Sequence, residues 1–126
     1  MINPTGGRIR ADSLGDGSFG TPRGHRLHNG EDYLVTPGSE VKAVISGYLT
    51  RVVYPYTGDT HWKGIEIKND NFICHQYYLE PAPEVLGKYV KQGEIIGFAQ
   101  DISQKYGDEM QPHIHVQIWV RPSLFM

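Results

Sequence analysis

Between Glu40 and Tyr54, apolar side chains recur at every second residue. Val41, Ala43 and Ile45 alternate with Lys42, Val44 and Ser46, and after Gly47 the alternation continues through Tyr48, Thr50 and Val52. A period of two predicts half-buried strands, and the glycine predicts a kink between them. Ile65-Glu66-Ile67-Lys68 alternates in the same way, and Asn69-Asp70-Asn71 has the chemistry of a tight turn. Phe72 to Leu79 then reads as the returning strand, stopped by Pro81-Ala82-Pro83. Residues 31–35 are extended after the Asn29-Gly30 turn, and Thr36-Pro37-Gly38-Ser39 forms a second turn. Val90 to Phe98 reads as a turn flanked by strands, residues 101–111 as a loop or one helical turn, and His113 to Val120 as the last strand. Six to eight strands with no repeat predict a mostly β fold, a small antiparallel sheet or sandwich.

Residues 1–27 break this pattern. They are rich in Gly, Arg, Asp and Ser, and read as an irregular N-terminal arm crossing the surface or lining a groove. Their glycine spacing does not make a phosphate loop, because no strand precedes it and no Lys-Ser/Thr follows. The whole chain of 126 residues is expected to form one domain. Twelve Lys plus Arg against fourteen Asp plus Glu give no electrostatic grip on nucleic acid or on an anionic membrane. No apolar run is long enough to span a bilayer, and Met-Ile-Asn-Pro-Thr-Gly-Gly has no signal-peptide pattern. Cys74 is the single cysteine, so no internal disulfide forms; inside a strand it reads as a small buried thiol rather than a nucleophile.

The chemistry concentrates in two separated segments, His28-Asn29-Gly30-Glu31-Asp32 and His113-Ile114-His115. Alternate residues of a strand share a face, so His113 and His115 are expected to point into one space. With His28 and Asp32 they supply imidazoles and a carboxylate for a metal, with one imidazole to spare as a proton carrier. His25, His61 and His75 read as ordinary surface or core side chains, and alternation puts His75 on the face opposite Tyr78.

His28-x-Gly30-x-Asp32, Pro37-Gly38, Val41-x-Ala43-x-x-x-Gly47, Val90-x-x-Gly93-Glu94-x-Ile96-Gly97 and Pro112-His113-x-His115 occur in that order. The ordered set resembles the LytM/lysostaphin-type zinc endopeptidases of bacterial peptidoglycan. The resemblance implies a compact antiparallel β fold with an open groove and a zinc ion on its floor. It further implies His28, Asp32 and His115 as metal ligands and His113 as the catalytic imidazole. Peptide stems and cross-bridges of peptidoglycan would be the substrate, in the periplasm or outside the cell. A domain without wall-binding modules fits a phage tail-associated or lysis enzyme, borne on the virion or docked to an assembly partner, and equally an excised piece of a larger protein.

The sequence departs from that family at Gln76-Tyr77-Tyr78-Leu79-Glu80-Pro81, where Tyr78 stands in place of a second catalytic His. The same form is similar to the branch that includes leukocyte-derived chemotaxin, and implies a retained zinc site with peptidase activity reduced or lost. A phenol with a pKa of ~10 is no general base near neutrality, yet it can donate a hydrogen bond to a developing oxyanion. On that ground Tyr78 is expected to be catalytic beside His113. The alternative is a zinc-stabilised module that binds peptidoglycan or a protein without cutting. Tyr33, Tyr48, Tyr54, Tyr56, Trp62 and Tyr78 are candidate groove walls, of which fewer than half are assigned to the groove. The strands also resemble biotinyl and lipoyl carrier domains, but Gln111 follows Met110 and no modifiable Met-Lys occurs.

Overall fold

Two antiparallel sheets form from these alternating segments. The computed structural model describes residues 1–12, 15–16, 22–23, 26–27 and 30–121. In the arm, β1 (Ala11–Asp12) pairs with β2 (Gly15–Asp16), and β3 (Pro22–Arg23) with β4 (Arg26–Leu27). The larger sheet uses β5 (Glu31–Leu34), β7 (Gly47–Val53), β8 (Gly64–Lys68), β9 (Phe72–Tyr77), β11 (Tyr89–Val90) and β13 (His113–Val120), in the order β11-β7-β8-β9-β13-β5. The smaller one uses β6 (Glu40–Lys42), β10 (Leu79–Pro81) and β12 (Ile95–Ala99), in the order β10-β12-β6. A 3₁₀ turn at Pro83–Val85 and a single helical turn, α1 (Ser103–Tyr106), complete the described elements.

The main core gathers one face of the large sheet, including Leu49, Ile65, Ile67, Cys74, Ile114 and Val116, with Val41, Leu79, Ile96 and Ala99 of the small sheet. Each fully buried aliphatic side chain contributes roughly 1.5–3 kcal/mol of transfer free energy. Burial pushes the Cys74 thiol up to about 12, as expected of an inert core cysteine. Alternation ends earlier than the sequence suggests. Val44, read as outward, is fully buried along with Val41 and Ala43, because the chain leaves β6 and crosses into the other sheet before β7 begins at Gly47. Buried Gln76 braces this crossing. Its side-chain amide donates to the Lys42 carbonyl at 2.9 Å and its Oε1 accepts from the Val44 N–H at 3.0 Å.

The first ten residues add backbone to both sheets. Lys42 N–H donates to the Pro4 carbonyl beside β6. Leu34 N–H donates to the Arg8 carbonyl and Arg10 N–H to the Asp32 carbonyl, with Ile9 bridging Tyr33, so residues 8–10 extend the large sheet beyond β5. The sheet's second face is assembled by register. Opposed residues share a face, and β13 sets His115 between Asp32 and Tyr77 and puts Gln117 opposite His75. Glu66 in turn faces His75. Gly30 permits the close approach of β5, since a Cβ there would sit 1.9 Å from the Val116 carbonyl oxygen.

Candidate active site

His113 and His115 lie on the same face of β13, one pleat apart, as their spacing predicts. Asp32, opposite His115 in the ladder, is 2% exposed. Its Oδ1 is 2.5 Å from His115 Nδ1, and its Oδ2 is 3.7 Å from His113 Nε2. His113 donates from Nδ1 to the Gln111 carbonyl at 2.7 Å, which leaves Nε2 as the nitrogen with a lone pair. Burial lowers the His113 pKa, against the pull of the Asp32 carboxylate and the Gln111 carbonyl, while Arg10 and His115 add to the lowering. His28 and His25 lie outside the described residues. Among the described residues, no group of three or more metal-binding side chains is assembled.

Tyr78 reaches this site by an unusual backbone. It follows β9 with φ +75°, a conformation that L side chains adopt at a cost, and three hydrogen bonds hold it. Its N–H donates to the Lys63 carbonyl at 2.7 Å, the Leu79 N–H shares that acceptor, and its own carbonyl accepts from the Gln100 N–H. The turn overrides strand alternation. Tyr77 and Tyr78 both face the site, Tyr77 stacking on His115 at 6.1 Å and Tyr78 meeting His113 edge-on at 5.3 Å. The expectation that Tyr78 lies on the face opposite His75 therefore fails: the strand ends at Tyr77, and the positive φ of Tyr78 turns it to the side that Tyr77 shares with His75.

The phenols form a chain. The Tyr56 hydroxyl is 2.9 Å from that of Tyr78 and 2.5 Å from that of Tyr106. Burial first, then these hydrogen bonds, push the Tyr56 pKa far up, so it stays a neutral donor. Trp62, Ile102 and Met110 form a second small core behind Tyr56 and Tyr78. In front, Pro55, Tyr56, Tyr77, Tyr78, His115 and Gln117 line an open cavity of about 200 Å³. A larger cleft of about 610 Å³ runs along Thr5 to Arg8 and Leu34 to Thr36, and among the described residues no carboxylate or imidazole lines it.

A polar relay flanks the site on the same sheet face. His75 Nε2 lies 2.7 Å from Glu66 Oε2, and His75 Nδ1 lies 2.8 Å from the Tyr77 hydroxyl. Thr50 and Arg51 also donate to Glu66. His75, read as ordinary, is thus part of a network beside the stacked Tyr77–His115 pair, whereas His61 packs on Trp62. Of the aromatic candidates, Tyr56 and Tyr78 line the cavity. Tyr33 packs on the core, and Tyr48 is exposed against Tyr89. Sequence reasoning missed Tyr77, Tyr106 and Arg10. Alternation marks Tyr77 as sharing a face with His75, but no local pattern marks the other two, which depend on distant partners.

Residues 26–124 match the family described as Peptidase family M23, and the chain belongs to it. It is 31% identical over 110 residues to leukocyte cell-derived chemotaxin-2 of Mus musculus, covering 84% of this chain and 69% of that one. It is 32% identical over 93 residues to lysostaphin of Staphylococcus simulans, covering 72% of this chain and 18% of lysostaphin. The crystal structure of a zinc containing peptidase from Vibrio cholerae aligns with a TM-score of 0.63 at 26% identity, covering 94% of this chain and 36% of that one. The mostly β, antiparallel architecture is the one these peptidases share.

Proposed function

We propose that the chain is a zinc-dependent endopeptidase that hydrolyses peptide cross-links of bacterial peptidoglycan. The observation that carries this reading is the pairing of Asp32 with His115 across β5 and β13, with His113 one pleat away, beside an open cavity. A carboxylate and an imidazole converging at hydrogen-bond distance fit the donor set of a zinc site, and His28 in the same motif would be the third ligand. Zinc bound by His28, Asp32 and His115 would supply a water of pKa ~7 and polarise the scissile carbonyl.

The chain's own groups would do the rest. His113, its tautomer fixed by Gln111, offers Nε2 to take a proton from the attacking water and return it to the leaving amine. Three phenols joined by two hydrogen bonds retain one hydroxyl proton for an acceptor beyond them. With donation running from Tyr106 through Tyr56, that proton belongs to Tyr78, suited to the developing oxyanion. Stem and cross-bridge peptides would lie in the cavity between Tyr56 and Gln117. A phage particle, a lysis event or release from a cell would each deliver the enzyme to the wall.

The experiment is metal analysis followed by incubation with cross-linked muropeptides. New free amines should appear, and should vanish with chelator, His113→Ala and His115→Ala. Zinc binding without amine release at high protein concentration would instead favour a second reading, a zinc-stabilised module that binds peptidoglycan or a protein. The phenol of Tyr78 in place of an imidazole is the observation on its side.

A further inference from the structure

Arg10 lies outside the segment that matches the family, in an arm whose sequence carries no strand pattern, yet its side chain is 1% exposed. Burying a guanidinium is costly without compensation. Here the compensation includes Asp32, whose Oδ2 accepts from Arg10 Nε at 2.9 Å. Register brings the two together, because the Arg10 N–H also donates to the Asp32 carbonyl at 2.8 Å, fixing the arm residue beside the acid. Asp32 is thereby held at both oxygens, Oδ2 by Arg10 and Oδ1 by His115 Nδ1.

We infer that Arg10 is a positioning residue for the metal site: it holds Oδ2 of Asp32 so that Oδ1 stays turned toward His115. The inference rests on the proposed metal site. Its physical basis is that a carboxylate free to rotate must be ordered when a metal binds, whereas one already held by a second partner is not. The positive charge of Arg10 works in the opposite sense, repelling a cation, so the experiment must separate orientation from charge.

The test uses the full chain as wild type, Arg10→Met and Arg10→Lys, with zinc alone as the probe. Zinc affinity is measured by competition with a chromophoric chelator, and folding of each metal-free protein by its thermal transition. The His115 Nδ1–H resonance, assigned by its loss in His115→Ala, is followed in the metal-free proteins. For Arg10→Met the expected result is roughly 10- to 100-fold weaker zinc binding, together with a displaced or broadened His115 signal. Arg10→Lys, which keeps the charge but not the guanidinium, is expected to fall between the two. A folded Met variant with wild-type affinity and an unchanged His115 signal would overturn the inference, as would one that binds zinc more tightly, since repulsion would then outweigh orientation. Should the Met variant not fold, a Lys variant matching wild type in both readouts overturns it. If the wild type takes up no zinc, the proposed metal site falls, and the metal-free His115 signal alone decides whether Arg10 orients Asp32.

Discussion

Tyr78 combines a left-handed backbone with a phenol aimed at the edge of His113. Holding a non-glycine residue at positive φ costs of order 1 kcal/mol or more, and the Lys63 and Gln100 backbone bonds offset it. That geometry matters only if the hydroxyl acts. Tyr78→Phe keeps the ring against Trp62, Ile102 and Met110 while removing the bond to Tyr56. Muropeptide cleavage should fall about 10²–10³-fold, with zinc content unchanged. Equal turnover by the Phe variant would remove Tyr78 from the chemistry. The identity of Tyr78 at this position was legible in the sequence, but its aim was not. Alternation would have sent it away from Tyr77, and the positive φ that prevents this comes from hydrogen bonds to Lys63 and Gln100, far from it in the chain.

At the scale of elements, β5, β8, β9 and β13 carry adjoining rows of chemistry on one face. The row of Asp32, His115 and Tyr77 belongs to the candidate site, and the next, Gln117, His75 and Glu66, braces it through the Tyr77 hydroxyl. Glu66 is buried, which by itself raises a carboxyl pKa. Hydrogen bonds from Arg51, His75 and Thr50 outweigh that and bring it to about 2. A carboxylate depressed from 4.5 in this way stabilises the fold fully above pH 4.5. The contribution is lost as pH falls from 4.5 through about 2. Urea midpoints measured across that window should drop with acidity in the wild type, and Glu66→Gln should flatten the drop. An unchanged slope in the Gln variant would show that other carboxylates carry the acid sensitivity.

For the whole molecule, the proposed metal would tie β5, near the arm, to β13 and hence to every strand of the large sheet. A ligand that binds only the folded state stabilises by mass action, about 2.7 kcal/mol at a hundredfold excess over its dissociation constant. For a domain of this size that raises Tm by roughly 10 °C. Melting with and without chelator measures it, and His115→Ala should melt at one temperature in both conditions. A wild-type transition indifferent to zinc and chelator would argue against a metal bound in the folded state.

The local sequence determined which segments are strands and turns, the buried Cys74 and the shared face of His113 and His115, because a period of two needs no knowledge of distant residues. It did not determine the inward face of β7, where Leu49 is buried while Tyr48 and Thr50 are exposed. Ordered motifs carried the family. Tertiary structure alone decided the burial of Val44, which follows from the chain changing sheets after β6. It also decided the joining of Tyr56, Tyr78 and Tyr106, and the contact of Arg10 with Asp32. Those contacts depend on register between segments far apart in the chain, and register is set by the packing of both sheets together.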